Sequence, residues 1–165
     1  MESICNDEQG PFSVMSGMIE ILSASQSLGN SADKTFLLDL KDHRKAHIMG
    51  RLTTHVLDTM NGCPAAGMVV ALYRLDGDAA ELLKSLVLNH DGRADKPLLE
   101  GKTLQAGRYR MVFEVGAYFR SRGANLPEPP FFDSVPLDFG LADTESHYHV
   151  PLLTSPWAYS TYRGS

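Results

Sequence analysis

Ser146-His147-Tyr148-His149-Val150-Pro151-Leu152-Leu153-Thr154-Ser155-Pro156-Trp157-Ala158-Tyr159-Ser160-Thr161-Tyr162-Arg163-Gly164-Ser165 reads as two short strands around a turn. Ser suits the first position of a type I turn and Pro presets φ for the second, so Ser155-Pro156 predicts a hairpin. Pairing Ser155 with Ala158 sets Leu153 against Ser160, Pro151 against Tyr162 and His149 against Gly164. Opposed residues share a sheet face and side chains alternate along each strand. One face therefore carries His147, His149, Pro151, Ser160 and Tyr162. It is polar and titratable, but a solvent-facing strand has the same appearance, so the face alone names no function.

Working outward, the middle of the chain repeats the strand signal. Arg51 to Asp58 alternates, with Arg51, Thr53, His55 and Leu57 on one side and Leu52, Thr54 and Val56 on the other. Asn61-Gly62-Cys63-Pro64 reads as a loop. Met68 to Leu75 is an apolar, β-rich run stopped by Asp76-Gly77-Asp78. Ala80 to Leu88 has the composition of a strand or a short helix, and turn signals about 10 residues apart favour the strand. Asn89-His90-Asp91-Gly92-Arg93 is a compact turn with His90 at its exposed tip. A short strand near Pro97 to Leu99, the β-forming run Arg108 to Val115, one or two helical turns from Gly116 to Arg122 and an edge-like strand from Ser134 to Phe139 carrying Pro136 complete the series. Pro127, Pro129 and Pro130 leave the segment before Ser134 irregular. About eight strands and one short helix predict an all-β, two-sheet β-sandwich.

Residues 1–49 have no such pattern. Phe12 to Leu28 and Lys34 to Leu40 suit weak amphipathic helices at most, and His43 and His47 read as solvated. The expectation is a flexible leader over 1–49 and a single domain over 50–165, long enough to bury a core.

Composition narrows the function. A formal net charge of -5 argues against nucleic acid, whose phosphates need a basic surface. No run of about 18 apolar residues predicts a membrane span, and the acidic start lacks the basic region of a secretory signal. The two cysteines, Cys5 and Cys63, make no disulfide framework. A buried or turn-lining role is the default for Cys63.

Leu52-Thr53-Thr54-His55-Val56-Leu57-Asp58, Gly62-Cys63-Pro64-Ala65, Asp91-Gly92-Arg93, His147 to Leu153 and the closing Tyr159 to Ser165 together resemble the transthyretin-related family of 5-hydroxyisourate hydrolases. The resemblance spans Arg51 to Ser165 and leaves out the leader. Its most specific part is Tyr162-Arg163-Gly164-Ser165, preceded at the right distance by His-Tyr-His. It implies a transthyretin-like sandwich assembled as a homotetramer, with sites in a channel between dimers and no metal or organic cofactor. It places catalytic roles on His55, Arg93 and His149 and the signature tetrapeptide on Tyr162, Arg163, Gly164 and Ser165. His147 also matches, but the family's role falls on the second histidine of the pair.

Hydrolysis of a cyclic amide needs a base near neutrality, which histidine supplies, and positive charge where the carbonyl becomes an oxyanion. The expected roles follow. His55 and His149 position and deprotonate water, with the choice between them open; Arg93 and Arg163 polarise carbonyls and hold the substrate's anionic form. Ser160 and Tyr162 orient the ring, and His55 and Arg93 also bind it. No nucleophile elbow is visible, so direct attack by water is expected. Against these stand plainer readings. His55 alone is unremarkable on a strand face. His147 and His149 lack the third and fourth ligands that zinc requires, so no metal is expected. The same sandwich also carries small-molecule carriers with a hydrophobic ligand in the channel, since fold does not fix function. The His55, Arg93, His149 and Tyr162 set favours the enzyme. The expected partner is a small-molecule substrate and the expected compartment the cytoplasm, with the peroxisome left open.

Overall fold

The structure, a computed structural model, describes residues 50–164. The leader, with the flexibility and weak helices expected of it, and Ser165 lie outside the described residues. Strand β1 (Arg51–Asp58) alternates as its sequence predicts, with Leu52, Thr54, Val56 and Asp58 buried and Thr53, His55 and Leu57 half-buried. Such a period of two belongs to a strand with one face on a core. Strand β2 (Cys63–Pro64) pairs antiparallel with the end of β1, so part of the expected loop is a strand. Cys63 is buried there. Strands β3 (Val69–Asp76) and β4 (Ala79–Val87) make the next hairpin, turned at Gly77, whose φ is 57°. Then come β5 (Leu99–Glu100), a 3-10 turn over Gly101–Thr103, β6 (Gly107–Phe113), helix α1 (Val115–Ser121), β7 (Val135–Leu141), β8 (His147–Thr154) and β9 (Tyr159–Thr161). The two-residue β2 raises the strands among the described residues to nine, against about eight expected.

Two sheets form the sandwich. One runs β2-β1-β8-β9, with β5 also on β1; the other runs β4-β3-β6-β7. Val70, Leu72, Tyr109, Met111 and Phe113 from the second sheet and Leu52, Val56, Val150 and Leu152 from the first form one buried core with α1 residues Val115, Tyr118 and Phe119. Burying each large apolar side chain contributes about 2 kcal/mol.

Asp58, only 1% exposed, ties the end of β1 to the helix. Its carboxylate accepts from the backbone of Met60 and Asn61, the Asn61 amide and the Tyr118 hydroxyl at 2.7 to 3.0 Å. Burial, and then the Asp58 charge, push the Tyr118 hydroxyl pKa upward, so it stays a donor.

The terminal hairpin has the expected register. Leu153 opposes Ser160, and a separate bridge joins His149 to Gly164. The Ser155 N–H donates to the Ala158 carbonyl at 2.8 Å. The ladder is interrupted where Pro151 would meet Tyr162, because proline has no N–H to give. The Pro151 carbonyl instead accepts from the Thr161 hydroxyl at 2.7 Å. What positions the site is the pairing on the other side of β8. It runs parallel to β1, in the register Arg51 to His147, Thr53 to His149 and His55 to Pro151.

Candidate active site

The outward face of the β1-β8 pair carries Arg51, Thr53 and His55 beside His147 and His149. Their neighbours Leu52, Thr54, Tyr148 and Val150 are buried. The third predicted residue arrives on the Asn89–Arg93 turn. The Asn89 side-chain oxygen accepts from the N–H groups of Asp91 and Arg93 at 3.0 and 3.1 Å, and Gly92 N–H donates to the Asn89 carbonyl. Gly92 has φ 67°, and a Cβ there would lie 2.5 Å from the Val56 carbonyl oxygen. Only glycine both adopts this backbone and lets the turn dock on β1. Docking forms the Val56 N–H to Gly92 carbonyl bond at 2.9 Å and the bridge between His55 and Arg93.

The electrostatics place His55, Arg93 and His149 in one cluster. Burial, and next the Arg93 guanidinium, lower the His55 pKa below the ordinary histidine value, with Asp91 opposing. Burial, Arg93, His55 and His147, in that order, lower that of His149. Both imidazoles are therefore held neutral, the state in which a histidine accepts a proton. An arginine beside two neutral bases supplies fixed positive charge without consuming a carboxylate. Arg93 is in none of the described ion pairs.

The other predicted residues are placed differently. Ser160 shares the outward face of His149 through its pairing with Leu153, and Tyr162 is 59% exposed just beyond β9. Arg163 turns elsewhere. Its guanidinium lies 4.8 Å from the centre of the Tyr148 ring, and Tyr148 occupies the opposite face of β8 from His149. The Tyr148 hydroxyl in turn accepts from the backbone of Ala142 and Asp143. The chain end still reaches His149 through its backbone. The His149 N–H donates to the Gly164 carbonyl at 3.2 Å and the Gly164 N–H to the His149 carbonyl at 2.8 Å. A Cβ on Gly164 would lie 3.1 Å from His149 Cβ and Cδ2.

His90 is exposed at the turn tip beside Asp91, as its position predicts. Among the described residues no three His, Cys, Asp or Glu side chains converge to hold a metal. Two contacts were not foreseen: Arg51 Nε donates to His147 Nδ1, and Thr53 Oγ1 meets His149 Nδ1, both at 3.0 Å. The alternation puts Arg51 and Thr53 on the face of His55. Only the parallel pairing with a strand some 95 residues away gives them partners.

The sequence and the fold both have recognisable relatives. The HIUase/Transthyretin family profile matches residues 52–164. A relative named 5-hydroxyisourate hydrolase from Pseudomonas aeruginosa is 56% identical over 117 residues, 71% of this chain and 93% of that protein. The solved 5-hydroxyisourate hydrolase of Klebsiella pneumoniae superposes with a TM-score of 0.58 at 38% identity, over 70% of this chain and 94% of that one. Sea bream transthyretin in complex with thyroxine gives 0.62 at 25% identity, over 69% and 94%. An (S)-allantoin synthase gives 0.68 at 41% identity over 82% of this chain, which spans only 56% of that protein. The class is thus a hydrolase built on a transthyretin-like β-sandwich. The chain belongs to the HIUase/Transthyretin family.

Proposed function

We propose that the protein hydrolyses 5-hydroxyisourate to 2-oxo-4-hydroxy-4-carboxy-5-ureidoimidazoline in cytoplasmic urate breakdown. The observation that carries this reading is the convergence of two neutral-held imidazoles and Arg93 on one outward sheet face. A histidine takes a proton as the water oxygen bonds to the ring amide carbon. Arg93 stabilises the oxyanion that forms. Collapse breaks the C–N bond, returns the proton to the departing ring nitrogen and leaves a carboxylic acid, which releases water's second proton to solvent and becomes the carboxylate. Ser160 and Tyr162 orient the ring. Arg163, held on Tyr148, contributes by keeping Gly164 against His149.

The carrier reading has the weaker support, since the thyroxine-bound transthyretin is 25% identical and the hydrolase relative 56%. Carbon NMR of freshly generated 5-hydroxyisourate mixed with the protein and a chelator tests the reaction. A new carboxylate signal of the ring-opened product, formed at the chelator-free rate, is expected. Activity abolished by the chelator and restored by zinc would overturn the metal-free reading.

A further inference from the structure

The two cross-strand contacts between β1 and β8 have opposite hydrogen-bond polarity. Arg51 Nε donates to His147 Nδ1 at 3.0 Å. A guanidinium has donors only, so His147 Nδ1 is the acceptor and the proton of the neutral ring sits on Nε2. Thr53 Oγ1 lies 3.0 Å from His149 Nδ1 and also donates to the Tyr148 carbonyl oxygen at 3.4 Å. A hydroxyl has one proton, and a carbonyl only accepts. The arrangement that gives each contact its own proton sends the hydroxyl proton to Tyr148 and lets a hydroxyl lone pair receive a proton from His149 Nδ1. The lone pair of neutral His149 is then on Nε2, which has no hydrogen bond to protein among the described residues.

We propose that Thr53 is a positioning residue that holds neutral His149 in its Nδ1–H form and makes Nε2 the base of the site, while Arg51 holds His147 as an Nε2–H donor. This deepens the hydrolytic reading and rests on it, because it names the atom that takes the proton from water. Nε2 gains that proton, the Nδ1–H to Thr53 bond persists and supports the imidazolium, and Nε2 later returns the proton to the departing nitrogen. Threonine suits the task because its branched side chain is restricted at χ1. A wrong tautomer leaves the ring in place with a donor where the base is needed, a costly defect in other histidine-dependent sites.

Nitrogen NMR of the full-length, isotopically labelled protein, at a pH where His149 is neutral, reads the tautomers directly. The expected result is a pyrrole-like Nδ1 and a pyridine-like Nε2 for His149 and the reverse for His147. A pyrrole-like Nε2 on His149 overturns the proposal, with no variant or substrate involved. Thr53→Val, which keeps the shape and removes the oxygen, is expected to shift His149 toward the Nε2–H form. It should lower kcat about 10-fold with KM little changed, and Thr53→Ser should recover most of the loss. A folded Thr53→Val protein with the wild-type tautomer and turnover also overturns it. Wild-type protein with the predicted tautomers that leaves 5-hydroxyisourate at its spontaneous rate would refute the hydrolase reading and leave the tautomer assignment standing.

Discussion

Arg93 is the cation that the pKa shifts of His55 and His149 share, and in both it ranks second to burial. The sign of its effect is fixed. An unfolded histidine titrates near its ordinary 6.5 and these two titrate lower, so between the folded and unfolded values the unfolded chain holds more protons. Their contribution to stability is therefore present above 6.5 and is lost as pH falls through the folded values. The neutral base disappears over the same window. Arg93→Gln removes the cation and leaves the burial, so proton NMR titration should show both histidine pKa values rising part of the way toward the ordinary one. Unmoved values would place Arg93 outside the cluster. In the proposed mechanism the same residues carry the rate, so His55→Ala, Arg93→Ala and His149→Ala are each expected to slow hydrolysis about 100-fold or more. Near-normal turnover in all three folded variants would refute the site.

At the scale of elements, the terminal hairpin delivers the chain end to His149. Because a Cβ on Gly164 would crowd the His149 ring, Gly164→Ala should lower turnover with little change in melting temperature. A C-terminal tag should do so far more than an N-terminal one. Equal turnover for the two tagged proteins would show that the terminus is peripheral. The hairpin was legible because its information is local: Ser155-Pro156 set the turn, and counting outward put His149 opposite Gly164. The period of two along β1 likewise put His55 on the outward face. The parallel pairing of β1 with β8 was not legible, since no local residue names a partner so far along the chain. With it went the roles of Thr53 and Arg51. Arg163 shows a different gap. Its charge suggested an oxyanion partner, but a guanidinium also stacks on aromatic rings, and Tyr148 is the ring it reaches. The resemblance, more than strand counting, joined His55, Arg93 and His149 before the fold did.

On the scale of the whole molecule, the proposed active face is one side of a sheet whose edge strand β9 is exposed throughout. Trp157, Tyr159, Tyr162 and Phe131 are exposed large aromatics, and Phe132 makes edge-to-face contacts with both Phe131 and Tyr159. Open strand edges and apolar patches favour association, and a second copy over the His149 face would restrict water there. A homotetramer is the expected mass in solution by light scattering; a fully active monomer would contradict the shared channel. The strand pattern and every assigned residue lie after the leader, and Gly50 is already enclosed by Thr144, Ser146 and Leu104. Deleting Met1 to Ile48 should therefore leave melting temperature and turnover nearly unchanged. A truncated protein that fails to fold would make the leader part of the domain.

The most direct measurement is the ultraviolet absorbance decay of freshly generated 5-hydroxyisourate with and without the protein. Decay that accelerates in proportion to protein concentration, persists in a chelator and returns almost to the spontaneous rate with His149→Ala is the predicted result. Decay at the spontaneous rate at every concentration of folded wild-type protein would contradict the account.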